Sequence, residues 1–85
     1  MKQIKIENIE IIRRTPKAVL VGFPAESEYS KYAVWFPKSK VNIKGKTALI
    51  TLVGDEYQLV FKETPLLGRK AIAKGFLTEI IEEEN

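Results

Sequence analysis

Apolar and polar residues alternate over short runs, and each break in the alternation marks an element end. Ile4 and Ile6 lie on one alternation and Ile9 and Ile11 on the opposite one, with Asn8 at the slip. One extra residue turns all later side chains over, so the pattern predicts a first strand over 3–13, bent by a bulge at Asn8. Arg13-Arg14-Thr15-Pro16 follows as a turn, because Pro fixes φ and biases the residue before it away from helix. Residues 17–23 (KAVLVGF) are apolar on both alternations, which predicts a central strand covered on both faces. The polar stretch 24–30 reads as a loop. Residues 31–36 then form a third strand with Tyr32, Val34 and Phe36 on one face and Ala33 and Trp35 on the other. Pro37 has no N–H to give to a ladder and ends it.

Residues 38–46 read as turns, with Asn42 and Gly45 permitting them. The β-branched run 47–53, the connector Gly54-Asp55-Glu56 and the alternating run 57–62 predict a hairpin, the clearest in the chain. Thr64-Pro65 has the chemistry of a helix start and Gly75 that of a helix end, which predicts a helix over 65–74 despite Gly68. For 76–81 two readings stay open: Phe76/Ile80 and Leu77/Ile81 fit helical spacing, while Phe76, Thr78 and Ile80 alternate. Residues 82–85 read as a frayed acidic tail. Together these elements predict one domain over 1–85, mainly β (α+β). The expected fold is a small twisted antiparallel sheet, or an SH3- or OB-like barrel, of about five strands with a C-terminal helix.

Composition narrows the function. The 85 residues include no Cys and no His, which removes thiolate nucleophiles, disulfides, imidazole bases and nearly all transition-metal sites. Glycines are scattered singly, so there is no phosphate-cradling loop. Ser39 stands between Lys38 and Lys40, but adjacent strand residues point to opposite faces, and a Ser/Lys pair does not follow. The expectation is a protein that is not an enzyme, with no catalytic residues, no metal and no cofactor. No apolar run approaches the ~20 residues of a membrane span and the first residues lack a signal-peptide pattern, so a cytoplasmic protein without a membrane partner is expected.

Charge supplies the positive lead. All 14 lysines and arginines lie within residues 1–75 with seven carboxylates, whereas 76–85 hold four carboxylates and no base. Lys31, Lys38, Lys40, Lys44 and Lys46 follow one another with no Asp or Glu between them, beside Tyr32 and the single Trp35. Aromatic faces offer stacking for bases and lysines neutralise phosphates, so this stretch, aided by Arg13 and Arg14, points to single-stranded DNA or RNA. Trp35 with Tyr32 or Tyr57 would stack. About four neutralised phosphates would give a log affinity against log salt slope of roughly −3. A competing reading makes Trp35 and Phe36 core residues and the lysines a solvated face. A third makes the domain a protein-interaction or self-association module that uses its edge strands and acidic tail. Composition leaves the oligomeric state open.

Two motifs carry a resemblance. Lys17-Ala-Val-Leu-Val, followed by Val34-Trp35-Phe36-Pro37-Lys38-Ser39, resembles small proteins encoded by bacteriophages and by integrative or conjugative elements of bacteria. Those proteins share a strand that runs into Trp and Pro-Lys-Ser, and often finish with a short helix closed by Gly, which 65–75 resembles here. Two departures stand out: Lys40 occupies a place where Gln is expected, and Leu66 one where Trp is expected. The resemblance implies a mobile-element habitat, and with it the handling of DNA or RNA.

Overall fold

The computed structural model describes residues 2–65, 70–73 and 77. Among them the strands are β1 (Lys2–Ile6), β2 (Glu10–Arg14), β3 (Ala18–Gly22), β4 (Tyr32–Pro37), β5 (Val41–Lys44), β6 (Thr47–Leu52), β7 (Glu56–Phe61) and β8 (Lys70–Ala73). A single 3₁₀ turn, Lys38–Lys40, precedes β5. The strands form two antiparallel sheets, one ordered β1-β6-β5 and the other β2-β3-β4-β7-β8. The fold is therefore mainly β as expected, but it is a pair of sheets and not a closed barrel, and its strands are more numerous and shorter than the five expected.

The core lies between the sheets. Ile4 and Ile6 of β1 and Ala48, Ile50 and Leu52 of β6 face Val19 and Val21 of β3, Val34 and Phe36 of β4 and Tyr57 and Leu59 of β7. Every one of these is the inward member of an alternating strand, and burying a large apolar side chain stabilises by ~1.5–3 kcal/mol. Leu77 packs into the same core. The outer face of the five-stranded sheet carries a second, smaller cluster of Leu20, Ala33 and Val60, with Ile12 and Trp35 partly buried against it. β3 is an interior strand, flanked by β2 and β4, with buried apolar side chains on both faces as its sequence predicts, although β4 is the middle strand of the five.

Three expectations of connectivity are corrected. The slip at Asn8 is not a bulge inside one strand. Asn8 adopts φ 60°, and the chain leaves the three-stranded sheet at Ile6 and enters the five-stranded one at Glu10. The bulge lies later, where Ile12 is the extra residue between the pairs Ile11↔Val21 and Arg13↔Leu20. The expected hairpin of 47–53 with 57–62 does not form, since β6 and β7 belong to different sheets. Its two runs each carry an apolar face, and the faces meet across the core instead of side by side. The Tyr57 hydroxyl fixes this corner by accepting from the Val53 N–H at 2.6 Å and donating to the Val53 carbonyl at 2.8 Å. The hairpin partner of β6 is β5, inside the stretch read as turns. Lys44 pairs with Thr47 across Gly45-Lys46, with positive φ only at Gly45, as a type II′ turn requires.

The C-terminal helix expected over 65–74 is corrected as well. Lys70–Ala73 is a strand paired with β7, from Glu56↔Ala73 to Leu59↔Lys70. Thr64 does not cap a helix; its N–H donates to the Phe61 carbonyl at 3.2 Å and closes a tight turn out of β7. Without β8, β7 would be an edge with unpaired backbone groups, and the ladder outweighs the modest helix propensity of KAIA. Of the stretch 76–81 only Leu77 is described, and the tail 82–85 lies outside the described residues.

Candidate nucleic-acid interface

Two sheets packed face to face leave two outer faces that point away from each other, and the alternation of each strand decides which face its charges occupy. In the three-stranded sheet, Ile4, Ile6, Ile43, Ala48 and Ile50 point inward, so Gln3, Lys5, Asn42, Lys44, Thr47, Leu49 and Thr51 point outward. Register sets Lys5 beside Leu49 and Leu49 beside Asn42, with Lys44 opposite Thr47. Lys5, Asn42, Lys44, Thr47 and Leu49 line one shallow groove of about 320 Å³. Strands β1, β5 and β6 contain no Asp or Glu. The nearest carboxylate in sequence, Glu7, lies just past β1, 3.4 Å from the Lys5 ammonium, in a pair exposed on both sides. Such a pair is worth little and leaves Lys5 free to exchange partners.

The nine residues singled out from sequence are divided between these faces. Lys44 lies in the groove, and Lys46 stands at the hairpin tip immediately after it. Lys40 and Lys38 belong to the 3₁₀ turn that leads into β5. Trp35 sits on the far outer face, half-buried against Leu20, Ala33 and Val60. Lys31 precedes β4, its carbonyl accepting from Lys62 N–H at 2.9 Å. Tyr32 is half-buried on the inner side with its ring 5.1 Å from that of Phe61. Arg13 and Arg14 are exposed at the end of edge strand β2, opposite Leu20 and Val19. Tyr57 is 7% exposed and its hydroxyl is committed to Val53, so it has no face to offer a base.

The structure thus places Lys44 on the outer face of the three-stranded sheet with Lys46 in the hairpin turn that follows, sets Lys38 and Lys40 in the 3₁₀ turn that leads into β5, and separates Lys44 from Trp35. Lys5, Asn42 and Thr47 were missed from sequence. Lys5 was legible as outward-facing, since it lies between Ile4 and Ile6, but only the pairing of β1 with β6 sets it near Lys44. Among the described residues no three carboxylates gather where they could hold a metal ion, and no helix is long and apolar enough to cross a membrane. Comparison with protein-family models, with curated proteins and with solved structures yields no match.

Proposed function

We propose that this chain is a small binding module that engages single-stranded nucleic acid through the outer face of its three-stranded sheet. The observation that carries this reading is the carboxylate-free set β1, β5 and β6, whose outer face presents Lys5 and Lys44 around Asn42, Thr47 and Leu49. The lysines supply phosphate neutralisation, which needs no base sequence, and the amide and hydroxyl groups offer hydrogen bonds to sugar and base edges. Contact is led by the backbone, because the aromatic residue first expected to stack faces the other way. The motif resemblance to phage and conjugative-element proteins favours the same ligand and a mobile-element setting.

Fluorescence anisotropy with a labelled oligo-dT or oligo-U tests the reading. Three cations, Lys5, Lys44 and Lys46, predict a log affinity against log salt slope of roughly −2. Charge reversal in a Lys5→Glu/Lys44→Glu double variant should weaken binding by at least about tenfold, which is ~1.4 kcal/mol. Trp35→Phe should leave it unchanged. No binding at low salt, or binding indifferent to the double substitution, would defeat the proposal. Loss on Trp35→Phe alone would move the contact to the opposite sheet.

A further inference from the structure

The described pairs between β4 and β7 stop at Trp35↔Gln58, although both strands run on, β4 to Pro37 and β7 back to Glu56. A groove of about 470 Å³ opens there, lined by Trp35, Pro37, Val53, Glu56 and Gln58, with Tyr57 among its deeper residues. Its surface is apolar and accessible: Val53 is 46% exposed, Pro37 is exposed and Trp35 is half-buried. Among the described residues the indole N–H of Trp35 has no hydrogen-bond partner and is not sealed from solvent, and the exposed Gln58 amide likewise has none. The groove therefore offers donors. Among its described lining residues Glu56 alone is charged, while Lys17 and Lys38 stand just beyond the opposite rim, joined by a Lys38 N–H to Lys17 carbonyl bond of 2.9 Å.

We infer that this groove docks a proline-rich segment of a protein partner in the polyproline II conformation. Such a segment has a fully solvated backbone rich in carbonyl acceptors and poor in N–H donors, the complement of an indole N–H and a side-chain amide. Its rings pack on exposed indole and proline faces at little entropic cost, since the conformation is already formed. The rims add polarity. Glu56 is on β7 and Lys17 leads into β3, on opposite sides of β4. A ligand with a basic and an acidic side chain separated along its extended backbone complements these two rims. This site is independent of the nucleic-acid reading and lies on the other sheet.

Trp35 is the only tryptophan, so its emission reports the groove directly. The probe is the blocked peptide Ac-Pro-Arg-Pro-Pro-Glu-Pro-NH2. The control is a peptide of the same length and charges with Gly and Ser in place of Pro. The expected result is a saturable shift or quench with the proline peptide, at least about tenfold weaker or absent with the control. Glu56→Lys and Gln58→Ala alter only exposed side chains, and each should weaken binding severalfold while the far-UV spectrum stays that of the parent. Three results would overturn the inference: equal responses to both peptides, no response up to about 2 mM peptide, or undiminished binding by both variants. Oligo-dT serves as a third titrant, and a Trp35 response to it with none to the peptide also overturns the inference.

Discussion

At the residue scale, the tightest constraint is the path of Lys62. Its ammonium donates to the Phe23 carbonyl and to Glu10 Oε1, both at 2.8 Å, and so ties the chain leaving β7 to β2 and to the end of β3. The stem passes over Gly22, where an added Cβ would stand 2.8 Å from Lys62 Cε, 3.1 Å from Ile12 Cδ1 and 3.3 Å from the Glu10 carbonyl. Glu10 is 63% exposed, so its ion pair contributes little, and the Phe23 carbonyl is the more valuable partner. Gly22→Ala is expected to destabilise by about 1 kcal/mol, even though Ala gains roughly 0.5–1 kcal/mol over Gly in strand interiors. In a Lys62→Met background the same substitution should cost distinctly less, because the thioether chain can move aside without losing a hydrogen bond. Urea midpoints of the four variants measure the coupling; additive effects would show that Gly22 and Lys62 do not share this space.

At the scale of elements, two backbone reversals decide where strands begin and end. Asn8 at φ 60° redirects the chain between sheets, and the Ile9 N–H, just past it, donates to the Lys46 carbonyl at 2.9 Å, which anchors the corner to the β5–β6 turn. Left-handed backbone costs an L-residue roughly 1–2 kcal/mol, less for Asn and nothing for Gly. Asn8→Gly should therefore be close to neutral and Asn8→Val should lose about 1–2 kcal/mol in chemical denaturation. Gly45→Val should lose at least as much, since the hairpin turn places the same demand on Gly45. If Val is tolerated at both positions, these reversals are not what sets the strand ends. The Asn8 slip was legible in sequence as a change of parity. What it joined was not, because a bulge and a sheet crossing leave the same pattern of isoleucines. Lys70–Ala73 departs from its local sequence signal for a related reason. Thr-Pro before and Gly after it form a sound local helix signal, and the open side of β7 overrode it.

At the scale of the molecule, one core joins both sheets. Ile4 pairs with Ile50 and Tyr32 with Phe61, so stability rests on contacts remote in sequence. Such topologies fold on the order of milliseconds to seconds. The outer cluster around Leu20 is built on β3, β4 and β7, which also carry the inner core, so it has no strands of its own to unfold with. Trp35 emission, which reports the outer cluster, and far-UV circular dichroism, which reports both sheets, should give coincident urea transitions. An earlier transition by Trp35 would mean that the outer cluster melts independently.

The sequence by itself determined that the structure is mainly β and which side the residues of β1, β4 and β7 take, because alternation is a property of neighbours along the chain. It also set the exclusions that follow from having neither Cys nor His. Only the tertiary structure decided which strands pair and which outward charges meet. Lys5 and Lys44 share a face because β1 and β5 flank β6. Lys44 and Trp35 do not, because the chain changes sheets between them. Pairing is chosen by burial of apolar faces across the core, a condition satisfied only when all the strands are present together.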